Sequence, residues 1–222
     1  MRKTILSITA AVALLFFMTT AAGANQLTPG TGGAPDTLTL PTGATLVGEK
    51  TGSFTINGGG ANGAGTFVDA VYSTTSGLDF LYQITVTSGD VSEVNANNFL
   101  LATYGGVTPK ADVGYLTAGA TAIFATPTAS LNPTTAAFGL SGSIDWSGFG
   151  GTGADLSTGD TSVVLAIFTN NTASVAGFAT FQDGGTSGNN PAFEPVPEPA
   201  SIALFGSGLL GLAGFARRRF LK

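Results

Sequence analysis

Leu78-Asp79-Phe80-Leu81-Tyr82-Gln83-Ile84-Thr85-Val86-Thr87 sets an apolar side chain at every second position: Leu78, Phe80, Tyr82, Ile84 and Val86. Side chains of a strand alternate between two faces, so these five share one face, with mostly polar partners on the other. Working outward, Phe138, Leu140, Gly142, Ile144 and Trp146 repeat the alternation, with Ser141, Ser143 and Asp145 opposite. Residues 163–168 are apolar at every position, which suits a central strand, and 175–181 follow after the turn-prone Asn170-Asn171. These last two runs predict an antiparallel hairpin. Weaker strand candidates are 37–40, 44–47, 52–56, 66–72, 98–104 and 121–124. With no convincing amphipathic helix, the expected fold is all-β, an antiparallel β-sandwich of jelly-roll or immunoglobulin-like type.

The chain has 222 residues, of which 43% are hydrophobic and 9% charged, enough for one core of ordinary size, and its 33 glycines imply many turns. Residues 25–35 and 184–195 are rich in glycine, threonine, asparagine and proline and read as a flexible leader and a linker. The sandwich is then expected over 36–183, with glycine-rich loops at 57–65 and 147–154. Of the eight basic residues, six lie at the chain ends. Between residues 25 and 198, two lysines face thirteen acids, a formal charge of −11. A surface of that sign repels phosphates, so a nucleic-acid partner is not expected.

At the N-terminus, Arg2 and Lys3 precede an apolar stretch ending near Met18, and the small residues Ala22-Gly23-Ala24 follow. This pattern predicts a signal peptide over 1–24, cut by signal peptidase between Ala24 and Asn25. The absence of cysteine leaves an exported domain without disulfides or thiolate metal sites. Its stability must come from the core.

The C-terminus mirrors the N-terminus. Residues 200–216 form an uncharged, mostly apolar run, near the short limit for a transmembrane helix. Arg217, Arg218 and Arg219 follow, and positive charge beside a span stays cytoplasmic. Pro195, Pro197 and Pro199 surround Glu198 and favour an extended segment that a processing enzyme can grip. Small residues such as Ser207 and Gly211, four apart, would let another membrane helix approach closely.

Val196, Pro197, Glu198, Pro199, Ala200 and Ser201, then the glycine-containing apolar run, then the three arginines together resemble the PEP-CTERM sorting signal. The resemblance covers only residues 196–222. It implies an exported protein of a Gram-negative bacterium, passing through the inner membrane, processed by the membrane enzyme exosortase and sorted to the cell surface or extracellular matrix. It implies nothing about what the body binds, beyond the exopolysaccharide systems that often accompany such proteins.

Catalytic patterns are sparse. With no histidine anywhere, Ser-His-Asp triads and histidine zinc sites are excluded. Residues 43–51 approach a P-loop, but Glu49 would oppose a phosphate, and the GxGxxG matches have no strand-turn-helix context. Asp155 and Asp160 share a hydroxyl-rich turn whose oxygens would suit calcium, although a solvated turn is the better reading. Trp146, with Tyr104 and Tyr115 behind it, is the candidate glycan contact, while its parity with Phe138 and Ile144 favours burial. No cofactor and no enzymatic activity are expected. The expected function is an exported structural or exopolysaccharide-associated protein, with a carbohydrate- or calcium-binding module as the alternative and ice binding or hydrolysis as minor ones.

Overall fold

In chain order the strands begin with β1 (Asn25–Leu27), β2 (Thr31–Gly33) and β3 (Asp36–Leu38), followed by the long pair β4 (Thr45–Gly58) and β5 (Ala61–Ser73). Next come β6 (Leu78–Ser88), β7 (Asp90–Val91), β8 (Glu93–Ala96) and β9 (Ala111–Leu116), with one 3-10 turn at Phe99–Leu101. The remaining strands are β10 (Thr135–Phe138), β11 (Ile144–Ser147), β12 (Leu156–Ser157), β13 (Val164–Phe168), β14 (Ser174–Gln182), β15 (Thr186–Ser187) and β16 (Asn190–Pro195). The computed structural model describes residues 25–58, 61–116, 123–128, 131–151 and 153–196. The expected signal and transmembrane helices lie outside the described residues. Among those described, no helix is long and apolar enough to cross a membrane.

The fold is all-β and, except for the parallel pair β3–β9, antiparallel. Hydrogen bonding runs continuously through β1-β9-β13-β6-β5-β4, crosses the short β15, and returns through β14-β8-β11-β10-β2. Tyr82 of β6 packs on Trp146 of β11, and Phe54 of β4 and Phe67 of β5 on Phe181 of β14. The ribbon has therefore doubled over on its apolar face, consistent with a β-sandwich. β1 and β2 are consecutive in sequence yet stand at opposite ends of the strand path, so the N-terminal segment bridges the far edges of the two layers. The Asn25 side chain supports that bridge by donating to the Ala34 carbonyl at 3.1 Å.

β6 is the strand the periodicity picks out, but both of its faces are buried. Leu78, Phe80, Tyr82, Ile84 and Val86 enter the main core, while Leu81 joins a second cluster with Leu38, Tyr72, Leu116, Val164 and Ala166. Gln83 accepts from the Ala125 N–H and donates to the Ala125 and Ser162 carbonyls, fixing the segment that covers this second face. β13 is central as expected, paired on one side with β6 and on the other with β9.

Several expectations are corrected. Residues 25–35 and 184–195 are not a loose leader and a linker: Leu27, Pro195 and Ala192 are buried, and β16 pairs with β14 over six residues. The hairpin expected from 163–181 does not form, because β13 and β14 enter different layers. The alternation from Phe138 to Trp146 is broken by a turn, with Gly142 at φ +94° and Leu140 79% exposed, and becomes the β10–β11 hairpin. Residues 98–104 hold the 3-10 turn instead of a strand. The glycine-rich 57–65 segment is mostly ladder. There Gly65 admits the close approach of β6, since a Cβ would collide with the Thr85 carbonyl and the Phe54 ring.

Candidate functional site

The chain leaves the body through β16, directly before the proline-glutamate-proline segment. β16 is edge-paired to β14 from Asn190↔Ala179 to Pro195↔Ser174, and side chains from the other layer secure it. Phe193 donates its N–H to Asp69 Oδ2 at 2.6 Å and accepts at its carbonyl from the Tyr82 hydroxyl at 3.2 Å. Lys50 donates to the Ala192 carbonyl and holds its ammonium 4.2 Å from the centre of the Phe193 ring. A glycine at position 48 makes room for that ring, which a Cβ would strike at 2.7 Å. The strand ends in a second set of bonds, where Val196 donates to the Ala173 carbonyl and the Asn171 amide donates to the carbonyls of Leu101 and Val196.

Asp69 is fully buried, and its Oδ1 has no hydrogen-bond partner among the described residues. Burial pushes its carboxyl well above the usual range, against the opposing pull of the Phe193 N–H and Lys50. The Tyr82 hydroxyl is raised too, by burial and then by Asp69 and Glu194. Replacing Asp69 with alanine is expected to destabilise the fold by about 1–3 kcal/mol, because the Phe193 N–H is left without an acceptor. The urea midpoint would fall, and the Phe193 amide would exchange its hydrogen faster than amides at the centre of β13. Asp69→Asn, which keeps an acceptor oxygen, should lose less.

A pair of carboxyls lies on the outer face of the layer built on β6 and β9. Asp79 of β6 and Asp112 of β9 flank Phe168 of β13 in register and are 2% and 3% exposed. Asp79 is pushed up to about 7, by burial first and by Asp112 second. Asp112 is also raised by burial, against the opposing influence of the Tyr104 hydroxyl beside it. Covered in this way, neither carboxyl is open to a polymeric substrate.

The candidate site residues separate clearly. Trp146 is not a surface glycan contact: it is fully buried and donates Nε1–H to the Gly114 carbonyl at 3.2 Å. Tyr115 is half-buried and packs on the same core, and Tyr104 lies beside Asp112. The structure therefore does not bring the three aromatics together as a stacking platform. Asp160 Oδ2 accepts from the Ser157 N–H at 2.9 Å, closing its own turn, while Asp155 is exposed. Among the described residues, no three acidic side chains converge on a metal-sized site. Val196 is described. Pro197, Glu198, Pro199, Ala200, Ser201 and the three arginines lie outside the described residues, as do Ala22 and Ala24, while Asn25 opens β1. What sequence reading missed is the set of residues securing β16, because the side chains that hold Phe193 come from strands more than a hundred positions away.

No curated protein and no solved structure matches the chain. The family match is confined to the tail, where residues 195–219 fit the PEP-CTERM protein-sorting motif and overlap the last residue of β16. On that match the chain is identified as carrying a PEP-CTERM sorting signal, which marks it as an exported protein targeted to exosortase and sorted to the surface of a Gram-negative cell.

Proposed function

We propose that this is a non-enzymatic surface or matrix protein, structural or exopolysaccharide-associated, whose tail holds it in the inner membrane until exosortase acts at Pro197, Glu198 and Pro199. The observation that carries this reading is the junction at Pro195 and Val196, where an ordered edge strand runs straight into the matched motif. A processing enzyme would therefore meet the motif at a defined distance from the folded body. Residues 200–216 supply the span and Arg217, Arg218 and Arg219 the cytoplasmic stop. At the other end, signal-peptidase cleavage after Ala24 would leave β1 whole, since that strand starts at Asn25. A non-catalytic body is supported by the burial of its acids with the most raised pKa, Asp69 and Asp79, beneath neighbouring strands and side chains.

The test is the intact mass of the protein in surface, culture and inner-membrane fractions of its native host, beside a variant with Pro197, Glu198 and Pro199 changed to alanine. The expected outcome is a released species that begins at Asn25 and lacks the apolar run, with the variant retained at full length in the inner membrane. Unprocessed protein in the membrane for both versions would reduce the tail to an anchor and overturn the sorting mechanism.

A further inference from the structure

Strand register brings one set of chain turns together around the exit. Ser73 pairs with both Thr45 and Leu78, Phe168 with both Asp79 and Asp112, Ile144 with both Phe138 and Ala96, and Ser174 with Pro195. Hydrogen bonds join these ends into one pole. Asn170 bonds Gly105 and Ser76, Asn171 bonds Leu101 and Val196, Phe99 bonds Gly142, and Gly30 bonds Phe138. Among the described residues, every large apolar side chain with strong exposure belongs to this pole. They include Leu140 at 79%, Val47 at 56%, Val107 at 47% and Val175 at 44%, with Leu101 and Leu100 just above 40%. Exposed leucines and valines scattered over a surface need no explanation, but their restriction to one end does. At the far pole stand Asp90, Asp155, Asp160 and Asp183. Asp155 there is raised by burial and by the charges of Asp183 and Asp90.

Chain length limits what the apolar pole can meet. Val196 is fixed to the body by Ala173 and Asn171, and four Cα steps separate it from Ala200. Fully extended, those steps reach about 14 Å at most. A headgroup layer is about 5–7 Å deep on each side of the hydrocarbon core. If residues 200–216 span a bilayer, the exit pole must sit at its surface.

We propose that this pole is a membrane-contact surface that rests on the bilayer holding the tail, with Leu100, Leu101, Leu140, Val175 and their neighbours in the headgroup layer. The inference rests on the anchoring read for 200–216. Apolar side chains gain by entering the headgroup-acyl boundary, and that gain favours this orientation. The contact would hold the motif at the membrane surface, where a membrane-embedded processing enzyme works.

The chain has no cysteine, so single-cysteine labelling is clean. The mature chain, residues 25–222, would be reconstituted into phosphatidylcholine vesicles containing some phosphatidylglycerol. An environment-sensitive fluorophore would be attached in turn to Leu101→Cys, Leu140→Cys, Val175→Cys, Asp155→Cys, Asp183→Cys and, in the tail, Gly208→Cys. Headgroup-nitroxide lipid is expected to reduce the signal at 101, 140 and 175 to about half and leave 155 and 183 unchanged. A label at 208 quenched by lipid carrying its nitroxide deep in the acyl chain, with labels at 101, 140 and 175 as wet as those at 155 and 183, overturns the contact while leaving the anchor intact. Labels at those three sites that shift to the blue without quenching would mean that protein, including a second copy, covers the pole, and would also overturn it. Quenching at the pole by the headgroup nitroxide without quenching at 208 by the acyl-chain nitroxide would support the contact and remove the anchor.

Discussion

Trp146→Ala is expected to lower stability by about 3–5 kcal/mol, the range for deleting a large buried aromatic side chain. In a body of this size that corresponds to a fall in Tm of roughly 10–15 °C. Three losses combine. The indole is fully buried, so its removal leaves a cavity that the surrounding strands cannot close. It packs on Tyr82 across the layers, with ring centroids 6.1 Å apart. Its N–H also joins β11 to the Gly114 carbonyl of β9, where an added Cβ would collide with the Asp36 carbonyl, so the acceptor is held in place. Trp146→Phe keeps most of the volume and loses the hydrogen bond, and should cost about 1–2 kcal/mol. A thermal melt in which the alanine variant lost less than about 1 kcal/mol would show that Trp146 is not a core residue and return it to the surface as a glycan contact.

Stability should also rise as pH falls from 8 toward 5, the reverse of ordinary acid unfolding. Asp79 has its folded pKa raised to about 7, above the value near 4 expected in the unfolded chain. Between those values the folded state keeps the proton and the unfolded state releases it. The stability contributed by protonated Asp79 is thus present below about pH 4 and lost as pH rises toward 7. A shift of this size corresponds to about 2–4 kcal/mol across that interval. Asp112, raised by burial, acts in the same direction, as does Asp145, raised to about 6 by burial and then by Glu93 against the pull of the Ser143 hydroxyl. Asp79→Asn should reduce the slope by its own share, leaving that of Asp69, Asp112 and Asp145, and make the protein more stable than the parent at pH 8. Chemical denaturation at several pH values measures both. A slope that survives unchanged in Asp79→Asn would assign it to other groups.

The C-terminal sorting signal and the alternation of β6 are local features, and both were legible residue by residue. Position relative to a cleavage site, length of an apolar run and period-2 spacing depend only on neighbours in the chain. The same holds for the inward set Leu78, Phe80, Tyr82, Ile84 and Val86, all of which reach the main core. It does not hold for Leu81 and Gln83, because what covers their face is the segment near Ala125, some forty residues away. Leu140 shows the opposite error: its parity matched a buried strand, but the turn through Gly142 placed it at the surface.

Composition, period-2 alternation and the C-terminal motif together predict an acidic, cysteine-free β-protein with a sorting tail, and that much follows from short-range chemistry. Which strands pair, which aromatics are buried and which segments are ordered depend on contacts across the chain. Residues 190–195 read as a flexible linker, yet the backbone bonds to β14 and the side chains of Asp69, Tyr82 and Lys50 make them an edge strand. Ordering a segment costs conformational entropy that a short stretch with two prolines and few apolar side chains cannot offset, so only distant partners supply the compensating burial and hydrogen bonds. The exposed apolar pole has the same origin: side chains from five separate stretches, at 46–47, 100–101, 107, 140 and 175, share one end of the molecule because strand register, not spacing, brings them there.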